Sequence, residues 1–243
     1  MPGRDNKAKG MVLVSGAGSG IGEAVARRFA REGYAVVGCG RNTDRLRALK
    51  KEIGKGGGRF IPIRCDVRNE ASVRKVGKFV ASLGNLDVLV NNAGVTYFKN
   101  FALTSTKEFD AVMETNVRGM FLLTKTMLPS MLKRRSGLII NIISYAAKTL
   151  YTGSSVYSAS KSAGATLMNV LREEVRQSNI KILNVYPGAT VTSMWSAKNR
   201  SRFQHRMMKP ADIAELVVRI VHLPASMMVE EIAFRPQQGD LKV

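Results

Sequence analysis

The chain has 243 residues, 45% of them apolar, and carries 38 Lys and Arg against 18 Asp and Glu, a formal charge of +20. This is the composition of a globular chain with a substantial core, and its apolar runs fall short of the eighteen or more residues expected of a membrane-spanning helix. The basic residues are scattered, not gathered in a block or tail, and no nucleic-acid motif accompanies them, so neither a nucleic acid nor a membrane is expected as partner. Cys39 and Cys65 are too few for a disulfide framework, and the opening "MPGRDNKAKG" lacks the apolar core of a signal peptide. A reducing, cytoplasmic setting is expected.

In chain order, the apolar run "MVLV" leads into "SGAGSGIG", Ser15 to Gly22, and then into "EAVARRFARE", where Ile21, Val25 and Phe29 fall at helical spacing. A strand, a glycine turn and a helix N-terminus in succession suit a phosphate, because the first turn of a helix presents unpaired N–H groups and a partial positive charge. The glycines do not fit G-x-G-x-x-G cleanly; they read as G-x-x-x-G-x-G through Gly16, Gly20 and Gly22. The second strand, "AVVGCG", ends in Gly40-Arg41. A carboxylate at that point would hold the ribose hydroxyls of a dinucleotide. A guanidinium there suits a 2′-phosphate instead, and one charge-assisted hydrogen bond, at about 1.5–3 kcal/mol, biases cofactor choice tenfold or more. NADP is therefore expected over NAD, the plain alternative being an exposed arginine that opens a helix. Asn42 and Thr43 add polar contacts or cap that helix.

The third strand, "RFIPIRCD", ends at Asp66, placed either to meet an adenine amino group or to accept from nearby backbone N–H groups. The fourth, "LDVLVN", runs into Asn91-Asn-Ala-Gly94, whose small residues let a ligand approach the backbone. A helical pattern over 106–135 holds Asn116 in the apolar context "METNVRGMFLL", where a polar side chain could interrupt the helix and hold a water. Strand "LIINIIS" ends at Ser144, positioned to bond a substrate oxygen, and a helical pattern over 154–178 carries Tyr157 and Lys161 four apart on one face. A phenol near pKa 10 needs about three units, roughly 4 kcal/mol, to work near neutrality, and a neighbouring ammonium supplies part of that. Strands "IKILNVYP" and "VEEIAFRP" and a helix over 210–222 complete the pattern. Helices are also expected over 20–32, 43–54 and 69–83. Such alternation, with strands apolar throughout, predicts one α/β domain over 1–243: a doubly wound, mostly parallel sheet with helices on both faces.

Ser15-Gly-Ala-Gly-Ser-Gly-Ile-Gly22, Asp66, Asn91-Asn-Ala-Gly94, Asn116, Ser144, Tyr157-Ser-Ala-Ser-Lys161 and Pro187-Gly188 stand together in an order that resembles the short-chain dehydrogenase/reductase family from the first strand to the sixth. The resemblance implies a seven-stranded Rossmann-type sheet and hydride exchange between a nicotinamide and a carbonyl or secondary alcohol. By the same resemblance Tyr157 is the general acid/base, Lys161 lowers its pKa and holds the nicotinamide ribose, Ser144 orients the substrate oxygen and Asn116 supports a water relay. Implied cofactor contacts are Gly16, Ser19, Gly20, Ile21 and Gly22, then Arg41 and Asn42, Asp66 and Val67, Asn91, Ala93 and Gly94. Tyr157, Lys161, Pro187, Gly188, Thr190 and Thr192 complete them. No metal is implied.

A substrate lid is expected at about 190–210. No Asp or Glu lies between Gly188 and Ala211, while Lys198, Arg200, Arg202, His205, Arg206 and Lys209 do, which suggests an anionic substrate whose apolar part meets Met194 and Trp195. The resemblance implies pairing through 106–135 and 154–178, where the small Ala159, Ala163 and Gly164 permit close helix packing, so a homodimer or homotetramer is expected. Ile143 stands where the family often has a second serine. The end "FRPQQGDLKV" lacks the "DGG" of acyl-carrier-protein ketoreductases, which weakens a 3-oxoacyl-thioester reductase. The intact Asn116, Ser144, Tyr157 and Lys161 argue against a non-catalytic binding protein. The expected activity is that of an NADP(H)-dependent carbonyl reductase or alcohol dehydrogenase.

Overall fold

The apolar runs form seven parallel strands: β1 (Met11–Ser15), β2 (Ala35–Gly40), β3 (Arg59–Arg64), β4 (Val88–Asn91), β5 (Gly137–Ile142), β6 (Ile180–Pro187) and β7 (Glu231–Phe234). They lie side by side in the order β3-β2-β1-β4-β5-β6-β7. The computed structural model describes residues 8–224 and 226–241, so most of the opening segment read for a signal peptide lies outside the described residues.

Both faces of the sheet are covered, which is why its central strands are apolar throughout. β1 is buried along its whole length; Leu13 points into one core and Val12 and Val14 into the other. On Leu13's side pack α3 (Glu70–Leu83), α5 (Gly119–Arg134) and α6 (Ser155–Val175), through Val76, Met127, Met131 and Met168. On the other side pack α1 (Gly20–Arg31), α2 (Thr43–Lys55) and α8 (Pro210–Val221), through Phe29, Leu46, Leu49 and Val217. Gly164, expected at a subunit contact, is buried within the chain, where an added Cβ would lie 3.4 Å from Met120.

The pattern over 106–135 is not one helix. α4 (Thr106–Met113) passes into a π-helical turn, Glu114–Arg118, and then into α5. The lid holds a further helix, α7 (Ala197–Phe203), whose sequence "AKNRSRF" offers no apolar stripe and buries only Phe203. Chain direction across the sheet reverses between β1 and β4. In an open parallel sheet this reversal opens a crevice beyond the strands' C-terminal ends, and the residues singled out above gather there.

Candidate active site

A cleft of about 1140 Å³ runs along this edge, from Arg41, Arg45 and Arg68 at one end to Phe98, Trp195 and Asp240 at the other. Its floor is the glycine turn. Gly16 and Gly20 adopt φ of 65° and 58°, a region glycine enters without cost. Gly22 serves otherwise: a Cβ there would meet Asn92 Nδ2 at 2.3 Å and the Gly16 carbonyl at 2.5 Å. It allows α1 to pack closely on the turn, and it stands behind the residues that line the cleft.

Arg41 lines the cleft and is exposed, and so does Arg45, one helical turn further on. Asn42 both lines the cleft and caps α2, accepting from Arg45 N–H at 3.0 Å. Asp66 is engaged by its neighbour. Its carboxylate accepts from the Arg68 guanidinium at 2.6 and 3.0 Å and from Arg68 N–H at 3.1 Å, and that guanidinium holds it below the usual carboxylate range. Of the two roles open to Asp66, the structure displays the local one. Val67, Ser19 and Ile21 line the cleft beside it.

The Asn91 side chain points into the sheet and not into the cleft. Its amide donates to Thr124 and to Asn141, both at 2.9 Å, and Asn141 in turn donates to Asn184 at 2.9 Å. The three asparagines stand in register on β4, β5 and β6, wholly buried. Their amides tie the strands together beneath the site. The signal was present as a single Asn inside each of the apolar runs "VLVN", "IINI" and "LNVY". The next residue, Asn92, lines the cleft and donates to the Ser15 carbonyl at 2.9 Å, fixing the glycine turn. Ala93 and Gly94 follow along the wall.

At the far end Tyr157, Lys161 and Ser144 line the same space. Tyr157 and Lys161 are both buried, one turn apart on α6. The Lys161 ammonium donates to the Ile142 carbonyl at 2.8 Å and lies 5.8 Å from the centre of the Tyr157 ring. Burial brings it down to about 8. Burial also pushes the Tyr157 phenol up, opposed by its hydrogen bond with Ser144. The expected lowering of Tyr157 by Lys161 is therefore not a property of the protein alone. Desolvation dominates, and the ammonium is directed at a carbonyl.

Asn116 sits in the π turn, buried, with its side chain fully engaged. Oδ1 accepts from Val95 N–H at 2.8 Å, while Nδ2 donates to the Val95 carbonyl and to Ser160 Oγ, each at 2.9 Å. Both of its amide protons are thus taken within the protein. It holds the segment after β4 against α6, behind the cleft wall.

Phe98 stands edge-on to Tyr157 with ring centres 5.9 Å apart, and stacks on Trp195 of the lid at 5.5 Å. Pro187, Gly188, Thr190 and Thr192 line the cleft below the lid. The lid cations do not line it. Arg202 lies over the Phe203 ring at 4.9 Å, and Arg206 donates to the carbonyls of Gln238 and Asp240. Asp240 itself lines the cleft, paired with Arg235 at 3.2 Å. Among the described residues no cluster of His, Cys, Asp or Glu is placed to hold a metal, and no helix is long and apolar enough to cross a membrane.

The sheet order, the glycine turn and the Ser144–Tyr157–Lys161 group define a nucleotide-dependent oxidoreductase. Residues 10–202 match the short chain dehydrogenase family model, and the chain belongs to that family. It is 36% identical over 242 residues to sepiapterin reductase of Chlorobaculum tepidum, covering 96% of this chain and 99% of the relative. A metagenomic short-chain oxidoreductase solved in complex with NADP is 31% identical at a TM-score of 0.84, over 96% of this chain and 99% of that one. An alcohol dehydrogenase from the archaeon Thermococcus sibiricus, complexed with 5-hydroxy-NADP, is 29% identical at 0.86, over the same shares.

Proposed function

We propose that this protein is an NADP(H)-dependent reductase that converts a carbonyl compound to a secondary alcohol, and runs the reverse oxidation. The observation that carries the reading is Tyr157, a buried phenol that lines the cleft together with Ser144 and stands one helical turn from Lys161, at the far end of a cleft that begins at a glycine turn.

The cofactor, when bound, supplies the hydride. Arg41 and Arg45 would hold its 2′-phosphate: both are exposed in the cleft and pair with no carboxylate among the described residues, while Arg68 occupies Asp66. Two solved relatives carry NADP or 5-hydroxy-NADP, which supports the same choice. Ser144 would hold the substrate oxygen, and Tyr157 would give its Oη proton to that oxygen. Lys161 would carry positive charge beside the phenolate left on Tyr157 and would hold the nicotinamide ribose. A phenol held neutral by burial is a competent donor in reduction.

The substrate has a planar apolar part that lies against Phe98 and Trp195. The cationic lid gives no support to an anionic substrate, because none of its cations lines the cleft. Lys99, which does line the cleft, is paired with Glu108 at 2.6 Å. The relative's name makes sepiapterin a natural member of the test panel. Two-fold assembly through α4, α5 and α6 is part of the proposal, supported by exposed Phe109, Phe121 and Val170, and light scattering at micromolar concentration tests it. Two free, buried thiols favour a reducing, cytoplasmic compartment. The deciding experiment follows NADPH and NADH oxidation over aromatic ketones, diketones, quinones and sepiapterin. Turnover with NADPH of at least one aromatic carbonyl is expected; absence of turnover across the panel would overturn the reading.

A further inference from the structure

One carboxylate outside the cleft gathers three segments that build its chemical end. Glu231 opens the edge strand β7 and does not line the cleft. Its Oε1 accepts from the Tyr186 hydroxyl at 2.7 Å and from Asn169 Nδ2 at 3.4 Å, and its Oε2 accepts from the Lys148 ammonium at 2.8 Å. That ammonium also lies 4.2 Å from the centre of the Tyr186 ring. Burial raises the Glu231 carboxyl, but the bonds from Lys148 and Tyr186 outweigh it and leave the group below the usual carboxylate range.

Each partner stands close in the chain to a residue of the cleft. Lys148 ends the short turn that starts at Ser144, where Ala146 N–H donates to Ser144 Oγ at 3.1 Å and Lys148 N–H donates to the Tyr145 carbonyl at 2.9 Å. Tyr186 immediately precedes Pro187 and Gly188. Asn169 lies about two turns beyond Lys161 on α6. This third arm reaches further. Asn169 Oδ1 accepts from Asn184 Nδ2 at 2.8 Å, which joins Glu231 to the line of buried amides on β6, β5 and β4. A carboxylate only accepts, so it turns every amide in the line the same way, with Nδ2 toward β7. The surplus acceptor then falls at the far end: Asn91 Oδ1 is buried with no donor among the described residues. Asn141, in the middle, precedes Ile142, whose carbonyl receives the Lys161 ammonium.

We propose that Glu231 is a positioning residue for the reaction, fixing the Ser144 turn, the end of β6 and α6 against one another from outside the cleft. This rests on the reductase reading given above. Glu231 acts through the placement of Ser144 beside Tyr157 and of the carbonyl that holds Lys161. Ion pairs this open to solvent hold little folding energy, whereas a misplacement of about 1 Å at a reacting group costs up to about a hundredfold in rate. Loss of Glu231 therefore shows in catalysis more than in stability.

The test compares full-length wild type, Glu231→Ala and Glu231→Gln in NADPH binding, in steady-state reduction of the carbonyl that wild type reduces best, and in amide hydrogen exchange. Glu231→Ala should lower kcat about tenfold at nearly unchanged NADPH affinity. Exchange at Ala146, Ala147 and Lys148 should speed up, while β1 and β4 exchange as in wild type. Glu231→Gln keeps an acceptor for Tyr186 and Asn169 but loses the charge facing Lys148, and should fall between. Lys148→Met, which removes one arm alone, should lower kcat less than Glu231→Ala and add nothing to it in the double variant; it carries the test should Glu231→Ala not fold. Wild-type kcat and wild-type exchange at the Ser144 turn in these variants would overturn the proposal and leave the reductase reading intact. Faster exchange in every strand, with NADPH binding lost in step with kcat, would make Glu231 a folding residue and overturn it as well. A wild-type chain that reduced no carbonyl would overturn the reductase reading itself.

Discussion

The side chain of Asn116 spans both backbone polar groups of Val95, accepting from its N–H at 2.8 Å and donating to its carbonyl at 2.9 Å. A side chain thus takes the place of a strand neighbour for the segment leaving β4, and the π turn is what aims it there. Asn116→Ala leaves a buried N–H and carbonyl unpaired, at a cost of about 3 kcal/mol. Urea unfolding should show that loss, and kcat should fall more than the KM for substrate. A variant of wild-type stability would show that water replaces the amide without cost.

Lys161 makes the chain's stability depend on pH in a defined direction. Its burial lowers it from 10.5 to about 8. Between those values the unfolded chain keeps a proton that the folded chain has lost, so this group's contribution to stability rises with pH across that window. Lys161→Met lacks the effect. From pH 7 to pH 10.5 the stability difference should move in favour of wild type by about 3 kcal/mol. Parallel unfolding curves over that range would place the ammonium in a wetter setting than the structure does.

Trp195 is the only tryptophan in the chain, and it stacks on Phe98 beside Tyr157. Intrinsic fluorescence therefore reports on the substrate wall. An aromatic carbonyl compound should quench it, and Trp195→Ala should raise KM for aromatic substrates about tenfold with little change for a small diketone. Equal effects on both substrates would remove the aromatic wall from recognition.

The proposed function makes cofactor choice turn on Arg41 and Arg45. Arg41→Ala should weaken NADPH binding tenfold or more while leaving NADH nearly unchanged, as expected for the loss of a charge-assisted bond to one phosphate. Comparable losses for both cofactors would assign Arg41 a role in packing.

Much of the site is written in local spacing. Tyr157 and Lys161 are four apart on one helix, and Arg41 ends the second strand where a ribose contact belongs, so neighbours in sequence carry the argument. The strand order follows from alternation and the handedness of crossovers. The features that escape reading depend on contacts distant in sequence. Consecutive side chains on a strand face opposite ways, so only the sheet's register shows that Asn92 faces the cleft and Asn91 the sheet interior. α7 carries no apolar stripe, and its place is set by the backbone bonds of Met208 with Ala189 and Val191 and by the burial of Phe203. Burial of Tyr157 and Lys161 is likewise a tertiary property, and burial of the phenol itself reverses the direction expected for Tyr157.

The central claim is that Tyr157 delivers the proton, and Tyr157→Phe tests it most directly because only the phenolic oxygen is removed. The measurement pairs steady-state NADPH oxidation, on whichever carbonyl wild type reduces best, with NADPH binding followed by fluorescence. The account predicts a fall in kcat of a hundredfold or more, within the range general acid catalysis supplies, at nearly unchanged NADPH affinity. A variant that kept more than a few per cent of wild-type kcat would contradict it and require another proton donor.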